Sequence, residues 1–541
     1  MRSVRLLGAV ALSLGVFTSA QAQGASAPRL LAQQDTSPAN WWLLDAARDR
    51  FPGIGAERLY REVLANRAPR RAVTVAIIDS GTDIEHPDLD GALWANPREV
   101  AGNSRDDDGD GLVDDVRGWN YIGGRDGRHV DVDTYEVVRV YGSLRRYEGA
   151  NPDTLRGDAR REFDLYQETK AQVVKQRAEA AQTLTQMRQV EKMINEGLAV
   201  LRREVGADSL TAERVAKLQP TRPDVAQAKQ MFMAMTAQGF TARQVTQQRE
   251  GLEQRVQFAL NPDFDTRTIV GDNYANTAER VYGNRDVEGP SADHGTHVAG
   301  IVAAERGNGM GIDGVAPTGT RLMIVRTVPN GDERDKDVAN AIRYAADHGA
   351  HVINMSFGKG YSPQKRAVDD AVRYAESKGV LLVHAAGNDG EDLNQKANFP
   401  NRRFEGGGEA RNWIEVGASS WEGPENLAAG FSNWGRGQVD VFAPGAAILS
   451  TVQGGGYERN SGTSMAAPVV SGVAALLMSY FPNLTAPQVK QIILDSATRY
   501  ADQMVVKPGT EGERVRFGDL STTGGIVNVY AAFQMAERMS R

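Results

Sequence analysis

Three short segments of this 541-residue chain hold groups that together could perform nucleophilic chemistry: Ala76-Ile77-Ile78-Asp79-Ser80-Gly81, Asp293-His294-Gly295-Thr296-His297 and Ser461-Gly462-Thr463-Ser464-Met465-Ala466. A serine hydroxyl is a weak nucleophile until an imidazole takes its proton, and the imidazole needs a carboxylate to fix its tautomer and stabilise its charged form. Ser464, His294 and Asp79 supply those three groups. Any one segment could arise by chance, and a lone Gly-Thr-Ser is a loop or helix cap in most proteins. The set, in order, is what points to acyl transfer.

The flanking residues predict the elements that would position these groups. Asp79 ends the β-branched run Ala72 to Ile78, which suits a buried strand of a parallel sheet and leaves the carboxylate at the sheet's carboxyl edge, where open α/β folds build their sites. Ser464 opens the apolar helical run Met465 to Tyr480, with Pro468 tolerated in the first turn, so its hydroxyl sits at a positive helix end. His294 opens a Gly-rich helix running through Val298 and Ile301 to Ala304. Further apolar runs at Arg321 to Val325, His351 to Met355, Val380 to Val383 and Trp413 to Val416 alternate with helical patterns at Asp335 to His348 and Pro363 to Lys378. The expected fold class is α/β, a mostly parallel sheet covered by helices on both faces.

With these motifs in the order Asp, His, Ser, the chain resembles the subtilisin-like serine proteases, the subtilases of peptidase family S8. A fourth segment, Val383-His384-Ala385-Ala386-Gly387-Asn388-Asp389, matches that family's oxyanion motif. The resemblance implies a three-layer subtilisin-like fold and an endopeptidase working through an acyl-enzyme, with Asn388 and the Ser464 backbone N–H as oxyanion donors. It also implies that Ser356, Phe357 and Gly358, in Asn354-Met355-Ser356-Phe357-Gly358, line the substrate together with Ala386 and Gly387, and that an extended peptide pairs with that strand. No organic cofactor is implied. Two rivals are weighed beside it: an esterase or amidase using the same acyl chemistry on small substrates, and a catalytically silent scaffold.

The interval between Asp79 and His294 is much wider than compact members of the family allow. Residues 153 to 260 lack Trp, are rich in Gln, Arg and Glu, and contain no proline between Pro152 and Pro220. Phe163, Tyr166, Val173, Ala180, Leu184, Met187, Ile194, Leu198, Leu201 and Val205 recur at three-four spacing, which predicts a helix of about 45 residues. Pro220 and Pro223 then break the chain before helical stretches near 224 to 237 and 241 to 260. The expectation is an antiparallel, coiled-coil-like helical arm over 150–262 that gates substrate, binds a partner, or is purely structural. The peptidase domain is expected at 71–149 and 263–541.

Asp106-Asp107-Asp108-Gly109-Asp110-Gly111-Leu112-Val113-Asp114-Asp115 places carboxylates at alternating positions with glycine at the turn, as in calcium loops. Position twelve would be Arg117, so the full EF-hand is absent, and the segment reads as a calcium loop or a solvated acidic turn. Asp106, Asp108, Asp110 and Asp114 are the candidate ligands of a structural calcium. His86 and His297 match structural positions of the family, the spacing of His129, His348 and His351 suggests no metal site, and His384 reads as a core histidine.

Composition sets the surroundings. Lys plus Arg number 62 against 69 Asp plus Glu, a net charge of −7, which gives no basic footprint for nucleic acid. The chain has no cysteine, so disulfides, thiolate metal sites and a Cys nucleophile are excluded. Arg2 and Arg5, the apolar run Leu6 to Phe17 and Ala20-Gln21-Ala22 form a signal-peptide pattern over 1–22, predicting export to the periplasm or the extracellular medium without membrane insertion. Residues 23–70 form a leader that precedes or packs on the catalytic domain, too short to hold the family's usual inhibitory propeptide together with a linker.

Overall fold

A computed structural model describes residues 37–206, 210–237 and 239–540; the signal segment expected at 1–22 lies outside them. The described chain divides into two compact units, Val137–Phe264 and the remainder.

The larger unit is built on a sheet whose strands, in chain order, are β1 (Thr74–Asp79), β2 (Gly118–Asn120), β3 (Arg321–Arg326), β4 (Val352–Met355), β5 (Leu381–Ala385), β6 (Trp413–Ser419) and β7 (Val441–Pro444). A hairpin of β8 (Ile448–Val452) and β9 (Gly456–Asn460) follows, then β10 (Thr498–Arg499), the small pair β11 (Met504–Val506) and β12 (Arg514–Arg516), and β13 (Gly525–Ile526). The sheet runs in the order β10-β13-β7-β6-β5-β4-β1-β3-β2 and is parallel except for the β10–β13 pair. These runs are apolar at nearly every position because both faces are covered. Successive β1 residues alternate between two cores, Val75 and Ile77 entering one with the helices Asp293–Ala303 and Thr463–Tyr480, Ala76 and Ile78 entering the other with Asp335–Asp347 and Lys365–Ser377. The Thr463–Tyr480 helix is long and apolar enough by composition to cross a membrane, but almost every residue in it is buried inside the fold, which accounts for its character.

Several of the described leader residues are core. Trp41, Trp42, Leu43, Ile54 and Leu59 are essentially inaccessible and belong to the same cluster as the Thr463–Tyr480 helix, and the Trp41 indole donates to the Ala446 carbonyl at 3.2 Å. Ala56–Leu59 forms one α turn and continues into a π turn, Tyr60–Leu64.

The smaller unit is organised by one helix of 49 residues, Gly157–Val205, about 74 Å long at 1.5 Å per residue. Its buried stripe holds the residues expected from the sequence from Phe163 to Leu201, with Thr169 and Val190 added. The helices Pro223–Ala237 and Ala242–Gln254 fold back on it: Met187, Val190, Ile194, Leu198 and Val245 form one cluster, flanked by Met231, Phe232 and Leu252. Gly197 lies at that seam, where a Cβ would press on Met231 Cε, the movable end of a flexible side chain, at 2.5 Å. Thr241 and Gln244 close a capping box at the start of the third helix.

Candidate active site

β1 is flanked by β3 on one side and β4 on the other, so the winding of the sheet reverses at it, the place where open α/β sheets leave a crevice at their carboxyl ends. Asp79, the last residue of β1, is 1 % exposed, and its main-chain carbonyl accepts from the N–H groups of Thr327 and Val328. His294 is the second residue of the helix Asp293–Ala303, and its Nδ1 lies 2.7 Å from Asp79 Oδ1, which also accepts from the Ser80 N–H at 2.7 Å. A carboxylate oxygen can only accept, so the proton sits on Nδ1 and Nε2 is left with its lone pair. Burial by itself would lower the His294 pKa, but the adjacent Asp79 carboxylate outweighs it and holds the imidazole above its ordinary 6.5.

Two glycines make this approach possible. A Cβ on Gly295 would sit 2.0 Å from the Gly81 carbonyl oxygen and 3.2 Å from Asp79 Cβ. Gly81 has φ +113° and would place a Cβ 2.0 Å from the Glu288 carbonyl oxygen. Across from Asp79 in the β1–β3 register, Arg326 is 1 % exposed and braces the same turn by donating from Nε to the Ser80 carbonyl at 2.9 Å. Burial pushes its pKa down to about 10. Nothing in the linear sequence marked Arg326, because its partners, Ser80, Asn120 and Val130, are far from it along the chain.

Ser464 is the second residue of the Thr463–Tyr480 helix, partly exposed. Its hydroxyl donates to the Ser356 carbonyl at 3.1 Å, and among the described residues no hydrogen bond joins it to His294. Nucleophile–base bonds are often loose in the absence of substrate. The helix start is pinned by a polar chain through the sheet edge: Ser471 Oγ donates to Asn354 Oδ1 (2.8 Å), Asn354 Nδ2 to Ser356 Oγ (2.9 Å), and Ser356 Oγ to the Ser464 carbonyl (2.9 Å).

Asn388 follows β5 and its orientation is fixed by Thr463. The Thr463 N–H donates to Asn388 Oδ1 at 2.8 Å and the Thr463 hydroxyl at 2.9 Å. A backbone N–H can only donate, so Oδ1 must face Thr463 and the Nδ2 donors are turned away from it. The preceding turn is held by two asparagines that the sequence alone did not single out. Asn398 Nδ2 donates to the carbonyls of Ala385 and Ala386, and Asn433 Nδ2 donates to that of Ala386. Gly358 packs directly on Asn398, where a Cβ would lie 2.4 Å from Oδ1. Phe357 is nearly buried, edge-on to His384 at 6.4 Å, and Asn398 also lines a cleft of about 330 Å³ with Phe399, Phe404, Arg402 and Glu415.

His384, His297 and His86 are core residues. His384 is inaccessible and its Nδ1 lies 2.9 Å from Glu415 Oε1. His297 Nε2 reaches the carbonyls of Ile448 and Glu458, and His86 Nε2 that of Gly456, all at 3.1 Å, so both hold the β8–β9 hairpin. Burial takes the His297 pKa down to about 4.

In the acidic loop, Asp106 accepts from the N–H groups of Gly109 and Gly111, and Glu99 Oε1 from those of Asp107 and Asp108. Carboxylate oxygens of Glu99, Asp106 and Asp108 come within 4.8 Å of one another, and Glu99 Oε2 is buried with no hydrogen-bond partner. An all-oxygen set with one orphaned acceptor fits a hard cation such as calcium. Of the four residues expected from spacing, Asp106 and Asp108 gather here. Asp114 is turned to the N–H groups of Gly102 and Ser104 and to Arg285, and Asp110 faces His348.

A model of the subtilase family matches residues 70–512. Among curated relatives, a thermophilic serine proteinase of Bacillus sp. (strain AK1) is 41% identical over 240 residues, covering 44% of this chain and 53% of the relative. Fervidolysin of Fervidobacterium pennivorans is 37% identical over 265 residues, covering 44% and 35%. The solved protease domain of PatA, determined as a serine-to-alanine mutant, aligns with 46% of this chain and 82% of its own at 32% identity and a TM-score of 0.36. The chain thus spans about half or less of the length of these curated relatives. With the family model covering most of its length, the chain belongs to the subtilase family.

Proposed function

We propose that this chain is an exported serine endopeptidase that hydrolyses peptide bonds of proteins through an acyl-enzyme. The observation that carries the reading is the 2.7 Å contact between buried Asp79 and His294 at the carboxyl edge of the sheet. In this reading Ser464 Oγ turns from the Ser356 carbonyl to His294 Nε2 as substrate enters and attacks the scissile carbonyl carbon. His294 takes the hydroxyl proton, Asp79 stabilises the resulting imidazolium, and the oxyanion is met by Asn388 Nδ2 and the Ser464 N–H at the helix start. Collapse of the tetrahedral intermediate expels the amine, which receives the proton from His294, and water then repeats the sequence on the acyl-enzyme. Ser356 to Gly358 pair with the extended substrate, and Ala386 and Gly387 line its other side.

Calcium would clamp the acidic loop through Glu99, Asp106 and Asp108, a structural role with no part in bond cleavage. The 150–262 arm gates large substrates or binds a partner; a deletion of 150–262 with unchanged kinetics on a large protein substrate would remove the gating role. The decisive test is fluorophosphonate labelling and casein hydrolysis beside Ser464→Ala. Both are expected to vanish in the variant; a folded wild type that neither labels nor cleaves would sink the proposal.

A further inference from the structure

A second constellation, which shares only Asp108 with the Glu99–Asp106–Asp108 set, lies where the acidic loop meets the end of the helix Asp335–Asp347. The residue capping that helix is His348, whose side chain is 3 % exposed, stacked on Tyr344 at 4.1 Å and edge-on to Trp94 at 6.0 Å. Its Nδ1 lies 2.9 Å from the Tyr344 carbonyl oxygen. A carbonyl can only accept, so Nδ1 carries a proton, and in the neutral ring Nε2 is the atom that presents a lone pair. That atom is buried without a hydrogen-bond partner and is aimed at three carboxylates: Asp110 Oδ2 at 3.3 Å, Asp115 Oδ2 at 3.4 Å and Asp108 Oδ2 at 3.7 Å.

Asp108 and Asp115 are as buried as the imidazole, with side chains 1 % and 0 % exposed. Among the described residues, the one cationic side chain in an ion pair with any of the three carboxylates is Arg98, 3.1 Å from Asp108 Oδ2 and itself half exposed. Three carboxylates against one guanidinium leave an excess of about two negative charges around a lone pair that itself repels them. Buried charge of this kind is stable when a cation neutralises it. The second layer is also in place. Asp115 is oriented by the Tyr344 hydroxyl at 2.6 Å and by Asn96 Nδ2 at 2.9 Å, and the Nδ1–H to carbonyl bond is the usual brace of a metal-ligating histidine.

The donor set indicates which cation, and the spacing is compatible with it. Zinc binds nitrogen and oxygen at about 2.0–2.2 Å, and the edge of a tetrahedron is about 1.6 times its centre-to-corner distance, so ligand atoms should lie roughly 3.3–3.6 Å apart. The three separations from Nε2 are 3.3 to 3.7 Å. Calcium prefers oxygen alone, whereas imidazole suits zinc and its transition-metal neighbours. We propose that His348, Asp108 and Asp115, whose ligand atoms lie within 4.8 Å of one another, bind one divalent transition-metal ion of the zinc class with water completing its shell, tying the acidic loop to the helix end. Linear spacing around His348 carries no sign of this, because its carboxylate partners lie more than two hundred positions away.

The test uses the full chain carrying Ser464→Ala to prevent self-digestion, stripped with a chelator and then titrated with zinc chloride in equilibrium dialysis and with cobalt(II) as a spectroscopic stand-in. One equivalent should bind, with visible cobalt bands of a four-coordinate nitrogen and oxygen site and a raised melting temperature. His348→Gln should weaken binding at least tenfold and abolish the bands, while His294→Ala should keep them, separating this site from the exposed histidine of the catalytic edge. If His348→Gln does not fold, zinc-edge X-ray absorption of the parent protein decides, one nitrogen neighbour at about 2.0 Å being expected, and Asp115→Asn supplies the variant. Absence of bound zinc, binding unaltered by His348→Gln, or an oxygen-only shell displaced by calcium would each overturn the proposal and leave His348 an imidazolium paired with the loop. None of these outcomes depends on proteolysis.

Discussion

Replacing Asp79 by asparagine tests the catalytic reading at its most buried member. The substitution keeps the shape, so the fold should hold, but it removes the charge beside His294; because Oδ1 accepts from both the Ser80 N–H and Nδ1, the amide oxygen that replaces it can hold both bonds but no longer stabilises an imidazolium by charge. At the 2.7 Å separation and an effective dielectric of about 20, the carboxylate attracts an imidazolium by about 6 kcal/mol. The imidazole side chain is 41% exposed, and solvent screening reduces this to about 4–5 kcal/mol. At about 1.4 kcal/mol per decade the expected loss is about 10³–10⁴ in kcat. KM should change little, because Asp79 does not reach substrate. The assay is steady-state hydrolysis of a chromogenic peptide across pH, with the melting temperature as control. A folded Asp79→Asn protein that loses less than tenfold in kcat would refute the role assigned to this pair.

Other outcomes follow from the same geometry. The acid limb of kcat/KM should fall above pH 6.5, since the base must be neutral and Asp79 raises the His294 pKa. The folded state therefore holds that proton more tightly than the unfolded one, so the pair's contribution to stability is complete below pH 6.5 and is lost as pH rises through the folded-state value; a limb below 6.5 would contradict this. Asn388→Leu should lower kcat by about 10²–10³ with unchanged KM, a magnitude carried over from subtilisin, and should leave folding intact in circular dichroism. Gly295→Ala should destabilise by at least about 1–3 kcal/mol in urea unfolding, because the new Cβ meets Gly81 backbone that cannot move aside without displacing Asp79. Trp41→Ala should cost about 3–5 kcal/mol in the same measurement, and a near-neutral result would show the leader to be dispensable. Chelation should lower the melting temperature, and Glu99→Gln should reduce the part of that shift restored by calcium.

Much of the architecture was legible because it depends on local pattern. Both-face burial makes parallel strands continuous apolar runs, so β1 and β3 to β5 are legible within two residues, the run at β6 falls three residues short of its end at Ser419, and a 49-residue helix announces itself by its three-four stripe. The short β2, β10 and β13 carry too few residues for any period to register. The leader remained ambiguous because two adjacent tryptophans can cap a domain or enter its core, and only the position of the Thr463–Tyr480 helix places them inside.

The sequence by itself determined the chemistry available: a serine at a helix start, a histidine at another, an aspartate at a strand end and an asparagine past a fourth strand, in one chain order. Those are identities and local conformations, which short-range sterics and hydrophobic period dictate. Only the tertiary structure decided what they meet. Strand order brings Asp79 and His294 to 2.7 Å across the arm insertion, sets Arg326 behind the turn that follows Asp79, directs the Asn388 oxygen to Thr463, and carries His348 to an acidic loop more than two hundred residues away. Electrostatics and hydrogen bonding act through space over a few ångströms, whereas sequence spacing reports neighbours only along one helix or strand, so the partners of buried polar groups emerge when the layers close around them.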